Sequence, residues 1–367
     1  MKVQAEDVFV AWRDLRFARG RFALMAVVIV LITLLVGLLS GLTAGLSRQN
    51  TSAITSLPAD RIAFGAQGEE VSFADSTVTE RQWQRWAEAP GVVHSEPLGI
   101  TTTKATSGDR SAGVAAFGVQ SGSTLAPSGD RIDAHAVVLS TGAADDLGVA
   151  AGGTITLAGQ ELTVAAVSGD ASFSHTPVVW TSLGTWQRTA PRGDRPHGPG
   201  ATVIVVAADS GADLASVDAA AGTRTVSKDD SLSAIGSYAS ENGSLQLMRA
   251  FLFVISALVV GAFFSVWTIQ RSGDVAVLKA LGASTTHLLK DALGQAVVLL
   301  AGGTLIGTAL ATGVGALVAD GRVPFLLSPV TSAVPAVVII VLGALGAGLS
   351  VRRITSVDPL TALGSVR

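Results

Sequence analysis

No cysteine occurs in the 367-residue chain, which excludes a disulfide framework, thiol nucleophiles and thiolate metal sites. Charge is also scarce. Asp, Glu, Lys and Arg make up 14% of the residues, against about 25% in ordinary soluble domains. The net charge of −3 offers no basic excess for a general nucleic-acid surface. A phosphate loop of the form Gly-x-x-x-x-Gly-Lys-Ser/Thr is absent, so the chain lacks the usual cradle for ATP. His94, His135, His175, His197 and His287 show no metal-ligand spacing, and each reads as a structural or surface histidine. No serine sits in a Gly-x-Ser-x-Gly setting. With neither a nucleophile nor an acid/base constellation, an enzyme is the least favoured class.

What is present is apolar length. Hydrophobic residues make up 49% of the chain, and the mean hydropathy is +0.51. Four uncharged runs stand out: Phe22–Ser47, Phe251–Ile269, Ala292–Ala319 and Ala333–Ser350. Each reaches the ~18 residues or more that a helix needs to cross about 30 Å of hydrocarbon. The rival reading of the first run is a cleaved signal peptide. Its 26 residues exceed the ~7–15 of a signal-peptide core, so an uncleaved span is expected. Pro324, Pro329 and Pro335 predict a broken or re-entrant start to the fourth.

Lys and Arg set the expected orientation. Lys2, Arg13, Arg16, Arg19 and Arg21 precede the first run, and Arg271, Lys279 and Lys290 follow the second. Arg352, Arg353 and Arg367 follow the fourth, while only Arg322 lies between the third and fourth. The positive-inside rule then places both termini and the 271–290 loop in the cytoplasm, and residues 48–249 outside. Val8, Trp12, Leu15 and Arg19 recur at helical spacing, predicting an amphipathic helix on the inner membrane surface within residues 1–21.

Residues 48–249 read as a mixed α+β domain. Strands are expected at Gly113–Val119, Ala136–Leu139, Thr154–Leu157, Glu161–Val167 and Ala201–Val206. A short helix, Ala143–Leu147, should stop at Gly148, and a hairpin should turn at Gly159-Gln160. Three prolines mark Thr189–Gly200 as a loop, and Ser231–Arg249 has the spacing of a helical stalk. The expected fold class is thus an α-helical membrane protein. Four transmembrane helices (22–47, 250–270, 291–319 and 333–351) carry a mixed α+β extracytoplasmic domain between helices 1 and 2. An outer loop at 320–332 and a cytoplasmic tail at 352–367 complete the plan, in a multi-pass protein of the plasma membrane.

Two short stretches are more specific. RSGDVAVLKALGA, residues 271–283, resembles the cytoplasmic coupling segment of MacB/FtsX-type ABC permeases at Arg271, Asp274, Lys279, Ala280, Gly282 and Ala283. The tail VRRITSVDPLTALG resembles the ending of that family at Arg352, Arg353, Asp358, Pro359, Ala362 and Leu363. The resemblance implies a coupling helix at 271–290, touched by a separate ABC ATPase. Val275, Leu278 and Leu281 would form its apolar ridge, Asp274 and Lys279 its polar register, with Arg271 and Gly282 at its ends. It also implies a permease homodimer with two ATPase copies, which bind the ATP and Mg, and no cofactor of the chain's own. The plainer reading is a positively charged inner loop without a partner.

The outer end of the second run holds the candidate site. Tyr238, Glu241, Leu245 and Met248 fall at i, i+3, i+7 and i+10, on one helical face. Tyr238 is the only tyrosine. Phenolate and carboxylate oxygens both suit ferric iron, so Glu241 and Tyr238 are candidate ligands of a heme iron. An amphipathic stalk with Glu241 in water is the competing reading. Gly37, Ser40, Gly41, Ala44 and Gly45 give the first span a small-residue face, for close packing or for a flat ligand. FSHTPVVW (Phe173–Trp180) and VVLSTGAADDLGVAAGGTITLAG (Val137–Gly159) resemble the compact-domain branch of the family, which includes HrtB-type heme-efflux and DevC-like permeases.

That likeness implies the permease subunit of an efflux pump taking an amphipathic substrate from the outer leaflet, with heme as the expected substrate. The alternatives are a lipid, lipoprotein or peptide antibiotic as substrate, or an FtsX-like signal relay that transports nothing.

Overall fold

The structure, a computed structural model, describes residues 19–66, 70–189, 200–270, 284–319 and 323–355. Residues 1–18 of the expected amphipathic helix, the coupling stretch 271–283, most of the Pro-rich loop (190–199) and the tail 356–367 lie outside them. The chain divides into two compact units: Leu46–Gly243, and Met1–Gly45 with Ser244–Arg367.

The first helix, α1 (Arg19–Thr55), has 37 residues without a proline. At about 1.5 Å per residue it is roughly 55 Å long, well beyond the ~30 Å of a hydrocarbon core. Its last turns, from Leu46, belong to the inserted unit. There the chain forms β1 (Arg61–Gly65), β2 (Val78–Thr79), α2 (Glu80–Ala87), β3 (Val92–Ser107) and β4 (Arg110–Val119). Next come β5 (Ala136–Leu139), α3 (Thr141–Leu147), β6 (Thr154–Leu157), β7 (Gln160–Val167), β8 (Ser172–Phe173) and β9 (Thr176–Ser182). After α4 (Leu183–Thr189) follow β10 (Gly200–Ala201), β11 (Val203–Ala208), α5 (Leu214–Ala221) and β12 (Thr223–Ser227).

Local chemistry explains several boundaries. Ser140 caps α3 by accepting from the Ala143 N–H, and Gly148 ends it in the left-handed region at φ 64°. Thr79 and Gln82 form a capping box at α2. The β6–β7 hairpin turns on Ala158 and Gly159, both at positive φ. The expected Ala201–Val206 strand is two strands. Between them Thr202 Oγ1 accepts from the Ile100 N–H at 2.7 Å, so β10 pairs with β2 and β11 with β1 and β3.

The main sheet runs β12-β1-β11-β3-β4-β9-β5-β7-β6. Its pivot is β3. Its first half pairs with β11, its second with β4, and its far end meets β6 at Ala105 and Thr106. A ring of six strands (β3, β4, β9, β5, β7, β6) is thereby closed, around a core that includes Val114, Val137, Leu139, Ile155, Leu162 and Val179. Strand β11 is buried on both faces: Val203 and Val205 join one core, Ile204 and Val206 another with Trp86 and Val217. A strand covered on both sides reads as continuous apolar sequence rather than alternation. The largest core contains a chain of edge-to-face rings, Phe64–Phe73–Phe173–Phe117–Trp180, with centroids 4.9–5.6 Å apart.

The chain leaves the inserted unit through a 3-10 turn (Asp230–Ala234) and an extended Ile235 into α6 (Gly236–Gln270), so the expected stalk is helical only from Gly236. α7 (Thr285–Ala319) and α8 (Pro329–Thr355) follow. With α1 and α6, these make four helices, among the described residues, that are long and apolar enough to cross a membrane. Met25, Ile29, Val260, Phe264, Ala296, Leu300 and Ala347 form their shared core. Packing is close where side chains are missing. A Cβ at Gly41 or at Gly315 would lie 2.3 Å from the ring of Phe325, which fills the space that the two glycines leave.

Before the fourth span, the non-helical residues 323–328 pack against α1, and the Leu326 N–H donates to the Gly41 carbonyl at 3.1 Å. Helix α8 runs unbroken from Pro329 through Pro335. Ser328 caps it by accepting from the Thr331 N–H at 3.1 Å, while Thr331 Oγ1 accepts from the Ser328 N–H at 2.9 Å. Proline is well tolerated in the first turn, where its missing N–H has no helical partner, and Pro335 removes a single bond.

Candidate functional site

Three segments of the inserted unit meet at Glu241. The first is the end of α1, where Asn50 is 1% exposed. The second is the two-residue turn Ser174-His175 between β8 and β9. The third is the first two turns of α6, carrying Ser237, Tyr238 and Glu241.

The turn is anchored from below. Phe173 is buried in the ring chain, and the Ser174 and His175 N–H groups donate to the carbonyls of Asn50 and Gln49 at 3.0 and 3.2 Å. Ser52 Oγ accepts from the Ser172 N–H at 2.8 Å, and Arg48 pairs with Asp170 at 2.5 Å on the surface. Such an exposed pair contributes ~0–1 kcal/mol. Ser174 and His175 both lie at positive φ, 49° and 63°. Two-residue hairpins of this kind favour Asn-Gly. A Ser-His pair there holds backbone in a costly region, about 1–3 kcal/mol per residue, of the kind that gathers at ligand sites.

The turn presents the His175 ring to α6. Nε2 lies 2.9 and 3.1 Å from the two oxygens of Glu241. Asn50 Nδ2 donates to Glu241 Oε2 at 3.2 Å and lies 2.8 Å from His175 Nε2. Asn50 Oδ1 accepts from Ser237 Oγ at 2.5 Å, and Ser237 Oγ is 2.8 Å from Ser174 Oγ. The His175 and Glu241 side chains remain 30% and 42% exposed, so one side of the cluster is open.

Of the site residues expected from sequence, Glu241 lies in this cluster. Tyr238 is half-buried and packs against the largest apolar core of the inserted unit. Leu245 is half-buried, and Met248, 49% exposed, belongs to an outward apolar row with Leu247, Phe251, Val254 and Leu258. Asn50 and His175 were not singled out by sequence. The available signals were a buried amide closing an apolar run and a glycine-free turn of two residues. Arg271, Asp274, Leu278, Lys279, Leu281 and Gly282 lie outside the described residues. Among the described residues, no group of three or more His, Asp or Glu is arranged to hold a metal ion. The other notable acid is Glu96, buried on β3, which accepts from Ser123 and sits 2.6 Å from His94.

The Glu241–His175 contact thus sits on a domain inserted after the first of the helices long and apolar enough to cross a membrane. Residues 22–224 match the MacB-like periplasmic core domain, and residues 247–359 the FtsX-like permease C-terminal. The chain belongs to the MacB/FtsX family of ABC-type permeases, as a multi-pass membrane protein with an extracytoplasmic α+β domain between helices 1 and 2.

Relatives that carry the name hemin transport system permease protein HrtB include two from staphylococci. The one from Staphylococcus epidermidis is 34% identical over 146 residues, 39% of this chain and 41% of its own length. The one from Staphylococcus haemolyticus is 25% identical over 369 residues, 97% of this chain and 99% of its own. The crystallised extracellular domain of the noncanonic ABC-type transporter YknZ from Gram-positive bacteria is also similar, at 13% identity. It covers 46% of this chain and 98% of its own at TM-score 0.34, a likeness too slight to argue from.

Proposed function

We propose that this chain is the permease subunit of an ABC-type efflux system for hemin, working as a homodimer with two copies of a separate ATPase. The carrying observation is Glu241, a carboxylate held by His175 and Asn50 with one side open. Similarity to the HrtB permeases along nearly the whole chain supports the choice of substrate.

A carboxylate oxygen suits ferric iron. His175, with Nε2 at 2.9 Å from that carboxylate, orients it. Tyr238, one turn earlier on α6, is the second candidate iron ligand. Further along α6, Leu245 and Met248 offer an apolar wall to the porphyrin, which is flat and mostly hydrocarbon. In a dimer, Glu241 occurs twice, so a carboxylate is available to each face of one hemin. By the positive-inside rule, the termini and residues 271–290 are cytoplasmic, and Leu278 and Leu281 dock the ATPase. ATP binding there closes the spans and drives hemin outward.

The test is a spectral titration of the purified full chain with hemin, in wild type and in Glu241→Ala. A shifted Soret band that weakens at least tenfold in the variant supports the reading. An identical spectrum in the Glu241→Ala, Tyr238→Phe double variant removes the site. No shift in wild type, with ATPase activity raised instead by an external protein, makes the chain a signal relay.

A further inference from the structure

The contacts among Asn50, His175 and Glu241 do not close as hydrogen bonds. Asn50 Nδ2, His175 Nε2 and Glu241 Oε2 form a triangle with sides of 2.8, 2.9 and 3.2 Å. If His175 Nε2 carries a proton and donates to Glu241, it stands donor to donor against the Asn50 amide at 2.8 Å. If Nε2 is bare and accepts from Asn50, its lone pair faces the carboxylate at 2.9 Å. Turning the amide over puts Asn50 Oδ1 opposite His175 but sets two oxygens against each other at 3.2 Å. Every arrangement of the protons on an ionised Glu241 leaves one side of the triangle repulsive.

A cation removes the conflict. With the amide turned over, a bare imidazole nitrogen, a carboxylate oxygen and an amide oxygen converge as three acceptors, and Ser237 Oγ then accepts from the Asn50 amide. In octahedral coordination, bonds of ~2.1 Å at right angles separate neighbouring donor atoms by about 3.0 Å, whereas a tetrahedral ion would set them about 3.4 Å apart. The observed sides bracket the octahedral value. The same closeness makes these groups neighbours on one face of an ion. They cannot be the opposed axial ligands of one heme iron.

We infer that Asn50, His175 and Glu241 bind an octahedral first-row divalent cation, of the Mn(II) or Fe(II) class, as one coordination face. The imidazole selects against Mg(II) and Ca(II), which take oxygen ligands. The exposed sides of His175 and Glu241 leave the opposite face to water. The strained Ser174-His175 turn and the Asn50–Ser237 bond hold the ligands in place before the ion arrives. The ion ties the end of α1, the β8–β9 turn and the start of α6 to one point.

The experiment uses the full chain in detergent, without a polyhistidine tag, stripped with chelator and kept free of hemin. Mn(II) is titrated and followed by the loss of its free electron-spin-resonance signal. One saturable site per chain is expected, weakened at least tenfold in His175→Gln and in Glu241→Gln. Asn50→Asp, which supplies a charged oxygen in place of a neutral one, should bind about tenfold more tightly, since ligand charge tunes affinity. Absence of saturable binding in wild type overturns the inference. So does unchanged binding in both Gln variants, or weaker binding in Asn50→Asp. The hemin reading stands separately: hemin binding without Mn(II) binding removes only the cation site, and the reverse result removes only hemin.

Discussion

The two units share two means of close packing, rings set edge to face and rings or helices laid on glycines, but in different proportion. Trp186 on Gly99 and Gly118 is the second kind in the inserted unit, and Phe264 on Trp267 the first kind in the membrane unit. In the inserted unit, space is filled mainly by large rings set edge to face, such as Phe117 between Phe173 and Trp180. In the membrane unit, helices approach mainly where a side chain is missing, as at Gly41 and Gly315 around Phe325, or at Gly261 and Gly346. The contrast follows from solvent. Burying an aromatic ring out of water is itself a driving force. Between membrane helices that force is missing, because lipid is as apolar as leucine, and fit of shape takes over.

Removing a ring should therefore have the largest effect. Phe117→Ala should destabilise the inserted unit by about 3–5 kcal/mol, seen as lost hydrogen-exchange protection in β4 and β9 of the full chain. Protection in the membrane helices should stay the same. Adding a methyl to the other unit comes next. Gly41→Ala sets a Cβ against the Phe325 ring and should cost about 1–3 kcal/mol by overpacking. Its lowered melting temperature should recover in the Gly41→Ala, Phe325→Val double variant. If the inserted unit tolerates ring loss while the membrane unit tolerates the methyl, the contrast is wrong.

Smaller effects sharpen the picture at the ends of elements. Ser328→Ala removes the cap of α8 and should cost about 1 kcal/mol, detectable as faster exchange at Val330 and Thr331. Ala158→Asn works in the other direction. It turns the Ala-Gly turn of the β6–β7 hairpin into Asn-Gly, with φ already positive at both positions. A gain of about 0.5 kcal/mol and a slightly higher melting temperature are expected.

The membrane spans were legible because length and missing charge suffice to mark them. β5, β6 and β7 were legible because turn residues bound them. β3 was not, because its second half, Gly99–Ser107, is polar and passes from one pairing partner to another, so no single pattern covers its 16 residues. At α8 a serine cap and a first-turn position make Pro329 a helix starter. At the site, Glu241 stood out by position on its helix. Tyr238 stands three residues earlier, about 60° around the same helix, and that offset is enough for its ring to pack on the core. Asn50 and His175 lie 191 and 66 residues from Glu241, and only the folded sheet brings them near it.

Strand β1 has consequences for synthesis. Among the described residues it pairs with β11 and β12, so Ile62 and Phe64 leave the ribosome about 140 residues ahead of the first of these partners. At a translation rate of ~5–20 residues per second, that wait lasts roughly 7–28 seconds. Throughout it α1 is already made, and an apolar strand hangs beside it with its backbone groups unpaired, open to pairing with another chain. The unit cannot close until β11 and β12 arrive, and Glu241 follows only 14 residues after Ser227, the end of β12. The start of α6 is therefore the last piece laid against a domain whose first strand has been waiting for it, and a nascent chain arrested before residue 203 should be the form most open to capture by a chaperone.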